Sequence, residues 1–371
     1  MRATGLSPGH ESLHTELKRL LSAAVQTGVT PSAVCAVAVD GERLPVITVG
    51  DAVRFGSDGT ELPEQERIPA SAETLYDLAS VTKVFTAVTA LALVDDGVWD
   101  LDQTVPVPLG KFGVTLRQLL THTSGLPGTW DGWRGPLATG AVFDREALLA
   151  DLLALEPLHQ PGTHFEYSCA GFNTIMAAAE QITGKPWLQL VNEKVLSKVD
   201  ANGGLSFTPD PLCSAATEYQ PELGRGMIRG VVHDEAAWSL GGACGNAGLF
   251  GTAGALLGFA EFLRAGLPGI LSPTLATAMW TDQLRDVLGK FLPTSGAEFG
   301  HGLGLRIGQA AWMGSPHARG HNGFTGTSLL VDRDARMSVV LLSNRVHPRR
   351  EISDFQPVRL AVSDTVYSHL S

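Results

Sequence analysis

The sequence predicts an α+β fold: an antiparallel sheet drawn from both chain ends, flanked by helices, with a mostly helical lobe inserted between its halves. Two observations carry this. Apolar, β-branched runs bounded by turn residues occur near the N-terminus ("SAVCAVAVD", 32–40, and "LPVITVG", 44–50) and return near the C-terminus ("LGLRIG", 303–308, "GTSLLVDR", 326–333, and "RMSVVLLSN", 336–344). Between about 75 and 290 the apolar residues recur at helical spacing instead. Strands at both ends of a helical middle imply one sheet shared by the termini. The expected organisation is a single domain, with an α/β lobe from about 1–75 plus 300–371 and a helical lobe from about 76–299. Clefts between such lobes are favoured ligand sites.

Each element follows from its residues. Leu13, Leu17, Leu20, Leu21, Ala24 and Val25 are spaced as the buried stripe of an amphipathic helix over 11–27. The short "GER" between the first two strands suggests a hairpin. The stretch "LYDLASVTKVFTAV" (75–88) reads as an apolar helix, and Gly, Pro and Trp-rich loops such as "SGLPGTWDGWRGP" (124–136) interrupt the middle. "DRDA" is a plausible turn between the last two strands, and a final helix is expected over about 353–370. No internal repeat or low-complexity linker is visible.

Composition excludes several classes. The 371 residues are 44% hydrophobic and 18% charged, as in ordinary globular proteins. A net charge of −11 argues against binding nucleic acid, which needs a basic face. The nearest approach to a basic cluster, "RVHPRR" (345–350), reads as a solvated loop. The N-terminal residues lack an apolar signal-peptide core, and no window is apolar enough to span a membrane, so a cytoplasmic location is expected. Cys35, Cys169, Cys213 and Cys244 show no close pairing, which leaves zinc and redox motifs unsupported and makes reduced, buried thiols the expectation.

The apolar helix at 75–88 carries Ser80 and Lys83 three positions apart. Near a helix start this spacing puts both on one face. A serine hydroxyl becomes a nucleophile when a base takes its proton, and a lysine whose pKa is lowered by burial can be that base. Helix N-terminal N–H groups can stabilise charge developing on a carbonyl oxygen. With 7 lysines and 23 serines, chance gives roughly 0.4 Ser-x-x-Lys matches, and this is the single one. The same spacing also fits a serine N-cap beside a snorkelling lysine. Two other segments bear on the choice. In "FEYSCAGFN" (165–173), Tyr167 precedes a helical run and can be core or a proton relay. In "GHNGFTGTSLLVD" (320–332), His321 and the glycines lead into a strand, where backbone can approach a ligand closely.

Together these segments resemble the serine β-lactamase and penicillin-binding protein superfamily, and most closely its class C β-lactamase-like, esterase-like branch. Ser80-Val-Thr-Lys83 matches Ser-x-x-Lys, Tyr167-Ser168-Cys169 stands where the family has Tyr-x-Asn, and His321-Asn322-Gly323 stands where it has Lys-Thr-Gly or His-x-Gly. "LRQLLTHTSGLP" (116–127) and "GVVHDEAAWSLGGACGNAGLFGTAGALLGF" (230–259) are also similar to the family, and the likeness runs from about 15 to 345. The resemblance implies a β-lactamase/transpeptidase-like fold and an acyl-enzyme on Ser80. Lys83 would accept or tune the proton and Tyr167 would relay it. The backbone N–H groups of Ser80 and Phe324 would form the oxyanion hole. His321 would line the pocket, with Cys169, Asn322 and Gly323 contacting substrate. It implies no metal or cofactor.

Cys169 departs from the family's Asn: an amide becomes a weakly polar thiol, which is expected to loosen Lys83 and to disfavour β-lactam and peptide turnover. The formal Gly-x-Ser-x-Gly at Gly5–Gly9 lacks a preceding strand. His233, Asp234 and Glu235 lack a metal-binding partner motif. Trp130, Trp133, Trp238 and Trp312 suit either an acyl pocket or the core. The expected activity is a serine hydrolase or acyltransferase on a small ester or amide: a cytoplasmic esterase, or a transacylase passing the acyl group to an amine or alcohol in natural-product assembly. The alternatives are a β-lactamase or D,D-peptidase and, from another class, a sensor that acylates and stops.

Overall fold

The computed structural model describes residues 7–199, 203–292 and 300–370. The N-terminal half of the main sheet contains β1 (Ser32–Val39), β2 (Glu42–Arg43), β3 (Ile47–Val53) and β4 (Ile68–Pro69). The chain then makes β5 (Tyr76–Asp77), β6 (Leu205–Ser206), β7 (Ala216–Gln220), β8 (Gly226–Arg229) and β9 (Phe250–Gly251). It returns to the main sheet with β10 (Gly300–His301), β11 (Arg306–Ile307), β12 (Arg319–Asn322), β13 (Ser328–Asp332) and β14 (Met337–Ser343). The main sheet runs β10-β11-β12-β13-β14-β1-β3-β4, with β2 also on β1, and every pair is antiparallel. The two chain ends meet at β1 and β14, in register from Ala33 opposite Ser343 to Val39 opposite Met337. This is the sheet expected from both termini.

The hairpin after β1 turns on Asp40 and Gly41, whose φ values of 53° and 83° are the positive pair a tight two-residue turn requires. The second expected strand is split, because β3 begins only after Pro45. β1 and β14 read as unbroken apolar runs because both faces are covered. Val34, Ala36, Ala38, Val340 and Leu342 face one core, while Ala33, Cys35, Val37, Val39, Val339 and Leu341 face another.

Seven helices bear on the site and the sheet. They are α1 (Pro8–Gln26), α2 (Thr82–Asp95), α3 (Leu116–Leu120), α4 (Cys169–Thr183), α5 (Glu235–Ser239), α6 (Ala253–Arg264) and α7 (Gln356–Ser368). α1 and α7 pack together on one side of the sheet, and α6 lies on β1, β13 and β14. Leu13, Leu17, Leu21 and Ala24 are the buried stripe of α1, as their spacing predicts. Ser7, from the decoy Gly-x-Ser-x-Gly, caps this helix by accepting from His10 N–H; Gly5 and Leu6 lie outside the described residues.

The middle of the chain is less uniformly helical than expected. β5, β9 and β6 form a three-stranded sheet, and β7 pairs with β8. β5, β6 and β9 are two residues long and leave no alternation to read, while β7 and β8, of five and four residues, were missed. α2 is buried on all sides from Thr82 to Leu93, which explains its unbroken apolar sequence. No helix among the described residues is long and apolar enough to cross a membrane.

Candidate active site

Ser80 occupies a single 3-10 turn, Ala79–Val81, between β5 and α2. Ala79 has φ of 46°, a left-handed conformation that a non-glycine residue adopts at a cost of about 1–2 kcal/mol. Side chains from distant segments hold it there. Asp77 Oδ1 accepts Ala79 N–H at 2.8 Å, and Asp77 Oδ2 accepts His233 N–H at 2.6 Å. Thr325 Oγ1 donates to Asp77 O at 2.7 Å, and Thr327 Oγ1 to Leu78 O at 2.9 Å. Burial pushes the Asp77 carboxyl pKa up, against the pull of the two N–H donors. Gly323 fits against the same turn: a Cβ there would stand 2.1 Å from Thr327 Oγ1 and 2.5 Å from Leu78 O.

Lys83, one turn along, is fully buried. Its Nζ donates to Ser80 Oγ at 3.0 Å, to Asn246 O at 3.0 Å and to Cys169 Sγ at 3.4 Å. The expected loosening of Lys83 does not occur, because the thiol and the Asn246 carbonyl take up the ammonium's remaining donors. The expected lowering of its pKa is also reversed. Burial is the largest influence and pushes it down, but Cys169, Tyr167 and Asp234 push it up, and the net direction is upward. The three acceptors around Nζ match the three donors of an ammonium.

Tyr167 and Cys169 bracket the start of α4, whose N-cap Ser168 donates to Pro127 O at 2.6 Å and accepts Gly171 N–H at 3.0 Å. The Lys83 Nζ lies 5.0 Å from the Tyr167 ring centre, and the Tyr167 hydroxyl is buried with no hydrogen-bond partner. Ser80, Tyr167, Cys169, Asn322, Gly323 and Phe324 all line one pocket of about 730 Å³. Phe324 is half exposed and stacks on His233.

His321 departs from expectation. It does not line the pocket; it is fully buried, 5.9 Å from the Tyr167 ring, and donates Nδ1–H to Asn322 O at 2.8 Å. Successive residues of β12 face opposite ways, so Asn322 faces the pocket and His321 the interior. Burial drives its pKa well below the usual histidine value, so it is neutral.

The "RVHPRR" segment is the second correction. Val346 and His347 are buried, and Arg345 and Arg350 form part of the pocket wall rather than a solvated loop. Arg350 pairs with Glu218 and with Glu235 at 2.6 Å, and Glu218 Oε2 also meets His233 Nε2 at 2.8 Å. Burial pushes the Glu218 carboxyl up, yet His233 and Arg350 hold it far below the usual range. Asp234 caps α5. The His233-Asp234-Glu235 run thus makes structural contacts while lining the same pocket. Trp130, Trp133 and Trp312 are core residues, and neither they nor Trp238 line the pocket. Cys213 is exposed, against the expectation of buried thiols.

Sequence reasoning missed Asp77, Asn246, Arg306, Thr325 and Thr327. Asn246 acts through its backbone carbonyl, which no side-chain pattern encodes. Asp77 stands in the quoted stretch, and its place three residues ahead of Ser80 was a readable signal.

The beta-lactamase family model matches residues 17–363. A putative D-alanyl-D-alanine carboxypeptidase of Escherichia coli K12 is 28% identical over 365 residues, covering 84% of this chain and 81% of that protein. Esterase EstB of Burkholderia gladioli is 31% identical over 350 residues, covering 81% and 84%. Among solved structures, EstCE1, titled a hydrolase with promiscuous acyltransferase activity, superposes with a TM-score of 0.74 at 24% identity, covering 97% of this chain and 100% of that one. The simvastatin synthase of Aspergillus terreus gives 0.70 at 19% identity, covering 100% and 99%. The chain belongs to the beta-lactamase family of serine hydrolases.

Proposed function

We propose that the protein is a serine esterase that can also pass its acyl group to an amine or alcohol, working through an acyl-enzyme on Ser80. The observation that carries this is Lys83 Nζ at 3.0 Å from Ser80 Oγ, at the wall of a 730 Å³ pocket. The names of the similar proteins, an esterase and a hydrolase with acyltransferase activity, support the same reading. A peptidase reading, suggested by the carboxypeptidase relatives, has less support, because Cys169 presents a thiol where an amide would grip a peptide. Four unpaired thiols, one of them exposed, fit a reducing compartment such as the cytoplasm.

In the proposed reaction the Lys83–Tyr167 pair has first released one proton to solvent; Ser80 Oγ then attacks the substrate carbonyl and its proton fills that vacancy on the Tyr167 oxygen. The pair, with the lysine as cation and the tyrosine oxygen as proton acceptor, is the base. Lys83 stays charged and offsets the negative charge of the attacking oxygen. The backbone N–H groups of Ser80 and Phe324 receive the oxyanion. The C–O bond of the ester then breaks, and the unpartnered Tyr167 hydroxyl returns the proton to the departing alcohol. Water or an acceptor repeats the sequence in reverse and frees Ser80.

Incubation with a nitrophenyl ester, with and without amine acceptors, followed by intact mass, tests this. Turnover that disappears in Ser80→Ala, through an adduct on Ser80, is expected. Faster release with amine marks transfer; a permanent adduct without turnover marks a sensor and overturns the enzyme reading. The rate should climb with pH as the pair loses its proton, and a flat profile across about pH 6 to 9 would remove the pair as base.

A further inference from the structure

Tyr167 is faced by charged or titratable groups from several elements. Lys83 comes from α2, His122 from the loop after α3 (ring centres 4.5 Å apart), His321 from β12 and Arg306 from β11. The histidines contribute no charge. His122 Nδ1 accepts Ser168 N–H at 3.0 Å, and both His122 and His321 are held neutral by burial. His301, packed at 5.0 Å against His122, is pushed down to about 3 by burial. Arg306 is different. Its guanidinium lies 4.6 Å from the centre of the Tyr167 ring and lines the pocket. It donates to the neutral Gln309 side chain at 3.1 Å, and its Nε–H is buried with no partner. No carboxylate among the described residues pairs with it. Its cross-strand neighbours are Gly320, which carries no side chain, and the neutral His301.

We propose that Arg306 is a positioning residue for the acyl-transfer step, fixing the Tyr167 ring and supplying the uncompensated positive charge that favours loss of its proton. The inference rests on the function proposed above. A guanidinium on an aromatic face orients the ring, and a cation with no counter-ion, half-buried as Arg306 is, favours the anionic form of any acid it faces. Lys83 also faces the ring, at 5.0 Å, but its donors are turned to Ser80, Cys169 and Asn246, so Arg306 adds a second cation. The second cation leaves the Tyr167 hydroxyl free to meet substrate atoms.

The test is the pH dependence of Ser80 acylation by a nitrophenyl acetate, in the full chain, for the parent, Arg306→Gln and Arg306→Lys. A neutral ester isolates the role from recognition of a charged substrate. Arg306→Gln should lower kcat about 10- to 100-fold, leave KM within about twofold and move the rising limb upward by about one pH unit or more. Arg306→Lys should return the limb towards its original position. An unshifted limb in Arg306→Gln, a loss confined to KM, or equal shifts in both variants would overturn the proposal. Ser80→Ala, run alongside, keeps the two ideas apart: activity surviving there would sink the acyl-enzyme itself, whatever Arg306 does.

Discussion

Two buried polar clusters adjoin the same pocket and are built on opposite principles. In the Glu218 cluster, both carboxylate oxygens are engaged, His233 and Arg350 are paired, Glu235 closes the far side of Arg350 and Gln220 donates to both carboxylates. In the Ser80 cluster, the Lys83 amine has no carboxylate partner among the described residues. Around it the Tyr167 hydroxyl, both side-chain polar atoms of Asn246, Nε2 of His122 and His321 and Nε of Arg306 have no hydrogen-bond partner. Buried polar atoms are ordinarily satisfied, and leaving one unmade costs about 1–3 kcal/mol. One cluster is fully paired; the other leaves hydrogen-bonding capacity unmet, and of its unpartnered residues Tyr167 and Arg306 line the pocket. The difference teaches that stability and reactivity are separable here, though their residues stand on one pocket wall.

Lys83→Met gives the sharpest test of that separation. The thioether side chain has similar length and needs no solvation, so the buried charge is removed without a cavity. Acylation of Ser80 should fall by about a thousandfold or more, because the pair loses the cation that offsets charge on the attacking oxygen. Thermal stability should hold or rise, as replacement of a buried charge by an apolar group often stabilises by about 1–4 kcal/mol. A melting temperature that collapses with activity would make Lys83 a structural residue and erase the contrast.

Glu218→Ala should show the reverse pattern. It strands His233 and Arg350, and loss of one partner from a buried ion pair costs about 3 kcal/mol or more. Urea unfolding should register that loss, while the protein still folded at low temperature keeps acylation within about tenfold. A fall in kcat of the Lys83→Met size, with stability intact, would place Glu218 in the reactive cluster.

These clusters were not equally legible in the sequence. Ser80, Lys83 and Tyr167 could be found because local spacing and motif order constrain them, and the sheet could be found because alternating and continuous apolar runs mark β1, β13 and β14. The Glu218 cluster could not. Its members come from β7, the loop before α5 and the segment after β14, far apart in the chain, and Arg350 looked like one cation in a surface run. His321 was misplaced for a related reason: a motif gives residue order, but the pleat of β12 decides which of two neighbours faces the pocket. Lys83's charge state depends on what surrounds it in space, and Cys169 is 86 residues away.

The histidines extend the comparison to acid pH. His347 is the satisfied kind. Its Nδ1–H donates to Thr217 O at 2.9 Å, and its Nε2 accepts Arg54 and Phe55 N–H at 3.0 Å each. Burial pulls its pKa down to about 4 from 6.5, outweighing the bond to Thr217. Its folded value is therefore below its unfolded one. Under pH 6.5 the unfolded chain takes up a proton the folded chain refuses, so stability declines as pH falls to about 4 and then levels. At pH 5 this one group should cost about 2 kcal/mol relative to pH 7. His347→Gln should lower stability at pH 7 and flatten the slope between pH 7 and 5 by that amount. Parallel slopes in the two proteins would mean the ring is protonated in the fold.

The smallest effect is expected from Cys169→Ala. The thiol is a weak acceptor at 3.4 Å, while Ser80 Oγ and the Asn246 carbonyl hold Lys83 at 3.0 Å from either side. A hydrogen bond of this kind contributes about 1 kcal/mol, so acylation should slow by less than about tenfold, with the mass adduct still on Ser80. A hundredfold loss would make the thiol a working member of the cluster. An adduct that vanishes with the sulfur would make it the nucleophile, and the nucleophilic role would pass from the hydroxyl on α2's threshold to the thiol at the start of α4.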